Sequence, residues 1–303
     1  MGISPAVKRC VHFIALHEQR ASFPLEMAAG AMQVAYPGMH SDVGGGYRPG
    51  DQGKAMPEWG ASPHLSQVPL IDMHHAAYVA GVPLLSMEEI KDRPDLAADF
   101  ECSTRLVAAV NGFFQSCGIE TQASGMANVA KVLQDHTRQY LQWRGGFLAA
   151  DGWLEGRSFF KRAPRATDRT RLKQGVDDFV AHIAALRQRV AYAGRADRGL
   201  ADILSVFSTP VDRLIQDDPN GPVDPEAFDL LKAVNGWPLL PSAVRVLMDD
   251  YVHDSRSGFL EPRSVAKSVE EFRAGKDKAF KRWSARPCVP PRARPTRRKS
   301  MRC

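Results

Sequence analysis

The sequence predicts an α/β chain with few strands, followed by a mostly helical extension and a disordered basic tail. Three observations carry this expectation. Val34 and Tyr36 alternate with smaller or polar neighbours up to Pro37-Gly38, which reads as a short buried strand stopped by a turn pair. From Leu65 onward, apolar residues recur at spacings of three and four, the signature of amphipathic helices. Residues 276–303 carry 11 Lys and Arg against one Asp, with prolines interspersed and little to bury.

Taken in order, residues 7–23 place Val7, Val11, Ile14 and Ala15 at helical spacing, with His12, His17, Glu18 and Arg20 near the other faces. His17 beside Glu18 does not make a metal pair, because adjacent helical positions diverge and no third ligand is near in sequence. Arg20 is expected to pair with Glu18 or Glu26. The predicted strand follows, and residues 48–63, rich in Gly and Pro, form an irregular loop leaning over His40. Residues 65–85 form a helix with Leu70, Met73, Ala77 and Ala80 on its apolar stripe, ended by Gly81 and Pro83; His74 and His75 lie on a partly buried face.

Residues 87–115 read as a helix pair broken near Pro94. Residues 126–143 are amphipathic, and His136 falls among their half-buried positions. In residues 145–171, Phe147, Trp153, Leu154, Phe159 and Phe160 interleave with Arg157, Lys161, Arg162 and Arg165. That pattern suits either a membrane-surface contact, with rings at headgroup level and cations on anionic lipid, or an ordinary connection between helices. A long helix over 172–192, a breaker-rich connector over 194–225, and helices over 225–234 and 241–251 complete the extension. The domain division expected is 1–85, 86–275 and 276–303.

Composition narrows the function classes. Of 303 residues, 44% are hydrophobic and 24% charged, enough for a sizeable core. No run of 18 apolar residues occurs and the N-terminus lacks a signal-peptide layout, so the expectation is a cytoplasmic protein in the cell that makes it. Five scattered cysteines argue against a disulfide framework or zinc ribbon. Outside the tail, 29 basic residues face 33 acidic ones, a net −4, so only the tail offers a case for nucleic acid and such a partner is not expected.

The chemistry concentrates in Pro37-Gly-Met-His-Ser-Asp-Val-Gly-Gly-Gly-Tyr47. An imidazole just past a strand, beside a carboxylate and a glycine hinge, is how many hydrolases present a general base. His40 is the candidate base; Asp42, Gly44, Gly45 and Gly46 would shape the loop or support an oxyanion. The competing reading is a tight turn in which His40 and Asp42 bond only the loop. His253-Asp254-Ser255 is a second imidazole–carboxylate site, whose plainer reading is a helix end with local backbone bonds. No cofactor and no metal site is read.

The Pro37–Tyr47 loop resembles the signature loop of α/β-hydrolase proteins that include the phospholipase effectors of bacterial type VI secretion. The segments His12–Pro24 and Leu65–Leu70 look like its flanks, and residues 251–259 are similar to a stretch in longer members. The resemblance implies a Ser-Asp-His carboxylic ester hydrolase acting on phospholipid, with the serine on a Gly-x-Ser-x-Gly elbow and His40 as its base. It implies a membrane surface, a secretion component and an immunity protein as partners, and delivery to the periplasm or membrane of a target cell. No Gly-x-Ser-x-Gly occurs; Gly60-Ala-Ser62 and Gly156-Arg-Ser158 match half of it. The elbow, triad Asp and first strands are therefore expected before Met1, which makes this chain the C-terminal part of the hydrolase domain, inactive alone and a candidate to assemble with an upstream half. The alternative is a non-catalytic module that docks on lipid or protein.

Overall fold

In a computed structural model, which describes residues 3–18, 28, 30–60, 62–117, 126–148, 153–194 and 225–257, two parallel strands lead into the loop. β1 (Val11–Ala15) lies beside β2 (Met32–Tyr36), with Val11 opposite Met32 and Ala15 opposite Tyr36. β2 is the strand that alternation predicts. β1 replaces the helix expected over 7–23: its β-branched and aromatic residues suit a pleated surface, and a five-residue stretch with four apolar residues fits either period until a partner strand decides. His12 thus sits in a strand and His17 just beyond it.

The two strand ends are locked together. The Leu16 N–H donates to the Tyr36 carbonyl at 2.9 Å, and the His17 N–H donates to the Gly38 carbonyl at 3.0 Å. The Gly38 N–H returns a bond to His17 Nδ1 at 2.9 Å. Gly38 has φ of +117°, and a Cβ there would come within 2.6 Å of the Asp42 Cβ, so both its torsion and its space require glycine.

One helical turn, α1 (His40–Gly44), follows where a tight turn is the simpler expectation. The loop to residue 63 is irregular, with 3-10 turns at Asp51–Gly53 and Pro57–Trp59. The helices are α2 (Gln67–Val79), α3 (Met87–Lys91), α4 (Pro94–Ala97), α5 (Thr104–Ser116), α6 (Met126–Gly145), α7 (Trp153–Gly156), α8 (Ser158–Arg162), α9 (Ala166–Gly194), α10 (Pro225–Asn235) and α11 (Ser242–Asp250). The break expected near Pro94 separates two one-turn helices, each with a start signal: Ser86 accepts from the Glu89 N–H in a capping box, and Pro94 opens the next.

The main core joins the loop to the helices: Met39 and Leu65 pack in one cluster with Leu106, Phe113, Trp143 and Leu247. α2 departs from expectation. Leu70 and Met73, placed on its apolar stripe, are 38% and 53% exposed, and Tyr78, Val79, Val82 and Leu84 are exposed as well. His74 is half-buried and His75 exposed.

The aromatic–cationic stretch is a correction of a different kind. Phe147, Leu154, Phe159 and Phe160 are buried in the core, while Arg157 lies over the rings of Trp153 and Phe147. The rings face inward, so this stretch does not offer them to lipid headgroups. Phe159→Ala is accordingly expected to lower the unfolding free energy by about 3–5 kcal/mol in urea titrations. An unchanged midpoint would restore the surface-anchor reading.

The chain divides into two units, Met1–Pro262 and Arg263–Cys303, and all described residues lie in the first. The basic tail over 276–303 and most of the connector over 194–225 fall outside the described residues.

Candidate active site

Three successive residues after α11 each engage a different partner, two of them in loop 37–55 and one just past β1. His253 Nδ1 lies 2.6 Å from Asp42 Oδ1, and its backbone N–H donates to Asp42 Oδ2 at 3.1 Å. The Asp254 N–H donates to Gln52 Oε1 at 2.7 Å, and Gln52 Nε2 returns a bond to the Asp254 carbonyl at 3.0 Å. Ser255 Oγ donates to Glu18 Oε1 at 3.0 Å. The local backbone bonds expected of this triplet are minor beside these long-range ones.

Asp42 is held for this role. Its Oδ2 also accepts the Met39 N–H at 2.9 Å, so the carboxylate caps the start of α1 while its other oxygen meets His253. An ionised carboxylate only accepts, so in this contact Nδ1 is the nitrogen that would donate to Asp42, and Nε2 is the one turned away from it. His253 is 2% exposed, Nε2 has no hydrogen-bond partner among the described residues, and the Tyr47 ring stacks on the imidazole with centroids 3.8 Å apart and planes within 9°.

His40, the base the loop motif suggests, sits in a different pairing. Its Nδ1 lies 2.6 Å from Glu18 Oε2 and its Nε2 lies 3.0 Å from Ser41 Oγ. The His40 side chain is 39% exposed and that of Glu18 only 5%. Glu18 pairs with His40 and Ser255; Arg20, its expected partner, lies outside the described residues. Asp42 serves His253 and not its near neighbour in sequence. The Gly45 and Gly46 N–H groups both donate to the Ser41 carbonyl, with Gly45 at φ +81° closing α1; Gly44 is the last residue of that turn. Gly45 and Gly46 thus shape the loop with the N–H groups that an oxyanion would use.

The helical body fixes the far side. Asp254 Oδ2 accepts from Arg144 Nη1 at 2.6 Å, and Arg144, fully buried, also donates to the Gly175 carbonyl at 2.5 Å and to the Tyr140 hydroxyl at 3.2 Å. Burial alone would lower the Arg144 pKa, but Asp254 and Tyr140 together more than offset it and the net shift is upward. A Cβ on Gly175 would come within 3.2 Å of Asp254 Oδ2, so a glycine in the middle of α9 admits the carboxylate.

Lys54, also fully buried, donates to the Met248 and Asp249 carbonyls at 2.5 and 3.3 Å, capping the end of α11 with a cation, and its ammonium lies 4.2 Å from the Phe159 ring centroid. Burial holds its pKa down, to about 8, against the pull of Asp249 and Asp42. Asp250 is shared by Arg162 at 2.7 Å and Arg105 at 3.0 Å. Ser62 is buried and donates to the Ala98 carbonyl, and Ser158 opens α8, so neither half-match to the elbow is presented as one.

Sequence reasoning missed two features of this site. The Asp42–His253 pairing spans 211 residues and leaves no local trace. Glu18 carried a signal in its charge beside a strand end, but the helix expected there aimed it elsewhere.

Of the comparisons with known proteins, the family model bears on the loop. No curated protein matches. One solved structure, described as the crystal structure of an uncharacterized protein from Pseudomonas aeruginosa, matches with a TM-score of 0.52 at 24% identity over 83% of this chain. The chain covers 44% of that structure's length, and the likeness speaks to fold alone. Residues 1–76, which hold β1, β2, α1 and most of α2, match the family model described as the T6SS phospholipase effector Tle1-like catalytic domain, which shows over that segment the resemblance read from the Pro37–Tyr47 loop.

Proposed function

We propose that this chain carries the acid–base half of a phospholipase-type carboxylic ester hydrolase of the type VI effector class, with Asp42 and His253 as the working pair. The observation that carries the reading is the buried imidazole whose Nδ1 is held 2.6 Å from Asp42 while Nε2 has no partner among the described residues. Nε2 would take the proton of an attacking hydroxyl and return it to the departing alcohol, and Asp42 would stabilise the imidazolium between those steps. His40, engaged by Glu18 and Ser41, would hold the turn that presents Asp42. This moves the general-base role from His40 to His253, the last histidine of the chain.

The 303 residues contain no Gly-x-Ser-x-Gly, so the hydroxyl would come from an upstream-encoded half of the enzyme. The test is fatty-acid release from phospholipid vesicles by the chain alone and mixed with that half. The chain alone is expected at background. In the mixture, His253→Ala and Asp42→Asn are expected to lower the rate by about 10³–10⁴, and His40→Ala by less than about tenfold. Loss of activity in the His40 variant with the His253 variant unaffected would return the base to the loop.

A docking role is favoured by one separate observation, the exposed apolar run Leu70, Met73, Tyr78, Val79, Val82 and Leu84 on and after α2. Vesicle flotation that survives His253→Ala and is lost in Met73→Asp/Val79→Asp would support it.

A further inference from the structure

Resting on the Asp42–His253 reading, we infer that Tyr47 is the positioning residue of that pair, holding the imidazole in the one ring orientation that keeps Nδ1 on Asp42 and Nε2 toward the reacting hydroxyl. The torsion that sets a histidine ring is broad and roughly two-fold, so an unrestrained imidazole can turn over and exchange its nitrogens for carbons. A turned ring would set a carbon against Asp42 and leave a buried carboxylate oxygen without its bond, while the lone pair would point away from the site.

Turning requires clearance on both faces. The Tyr47 ring lies flat on one face, 3.8 Å between centroids and 9° from parallel, and leaves no room for the edge to sweep through. The backbone cannot follow the ring, because the His253 N–H is itself bound to Asp42 and the Asp254 N–H to Gln52. The position of Tyr47 is set in turn by Gly45 and Gly46, whose bonds to the Ser41 carbonyl close α1 just before it. The last residue of the loop motif thus acts on a ring more than 200 positions away.

The charged and titratable neighbours of the pair include His64, whose pKa is lowered by burial and then by His253, and Lys54, which feels both Asp42 and Asp254. None of them lies flat on the ring, so the restraint falls to Tyr47.

The experiment is proton NMR of the intact chain, following the low-field resonance expected of the short Nδ1–H bond to Asp42. Asp42→Asn identifies the signal by removing it. Tyr47→Phe, which keeps a flat ring, is expected to retain the resonance; Tyr47→Leu is expected to lose it to exchange while circular dichroism shows the fold intact, with Tyr47→Met standing in if the leucine variant unfolds. A resonance as sharp in the leucine or methionine variant as in wild type would overturn the positioning role and leave the acid–base reading standing. A wild-type chain without any resonance removed by Asp42→Asn would also overturn it. Failure of the acid–base reading is seen separately, in vesicle hydrolysis that does not respond to His253→Ala.

Discussion

Arg144→Met is expected to lower the unfolding free energy by about 3–5 kcal/mol, the loss typical when one partner of a buried ion pair is removed. The guanidinium is fully buried and makes bonds to Asp254, Gly175 and Tyr140, so the methionine leaves Asp254 as a carboxylate that water does not reach. Asp254→Asn should cost a comparable amount, and the double variant less than the sum, since the second change removes the charge stranded by the first. Urea unfolding of the three variants measures this. An Arg144 variant within about 1 kcal/mol of wild type would show the pair to be dispensable. Because His253 precedes Asp254, the Arg144 variant is also expected to lose the low-field resonance of the Asp42 bond.

The second large effect is acid destabilisation centred on His17 and His136. Burial, and then the neighbouring His136, holds the His17 pKa well below its ordinary value, and its Nδ1 already accepts the Gly38 N–H. Burial lowers the His136 pKa to about 4, with Asp135 opposing, and its ring stacks on Phe113. The unfolded chain binds protons at these imidazoles near pH 6.5 while the folded chain does not, so stability rises with pH across this window. It is fully present above pH 6.5 and is lost as pH falls toward 4, by about 3 kcal/mol for His136 alone. Unfolding free energies of wild type and His136→Phe at pH 7 and pH 4.5 should diverge, with the phenylalanine variant less acid-sensitive. Parallel behaviour would mean that His136 is protonated in the folded protein.

The sequence was most legible where one local pattern had one outcome. β2 ends at Pro37-Gly38 and α11 matches its predicted helix, since alternation and a stripe of Val244, Leu247 and Met248 each specify a buried face. β1 was illegible because four apolar residues in a stretch of five satisfy either period, and its partner is 21 residues away. The rings of residues 145–171 were legible as unusual but not in direction; a cation can lie over a packed ring as well as meet lipid, and here Arg157 lies over Trp153. The eleven-residue loop motif singled out Asp42 but gave no sign of the imidazole that meets it. His40 lies two positions from Asp42, yet α1 points it to Glu18, and only the folded helices bring His253 to the carboxylate.

That separation in sequence sets an order of assembly. A growing polypeptide displays Asp42 early, but its imidazole is synthesised only after every helix described between them, and closing so long a loop is repaid only once those helices have packed. If His253 is the base, chemical competence arrives with the final described segment, and a product terminated between residues 47 and 253 would keep the motif intact while lacking the imidazole that meets Asp42.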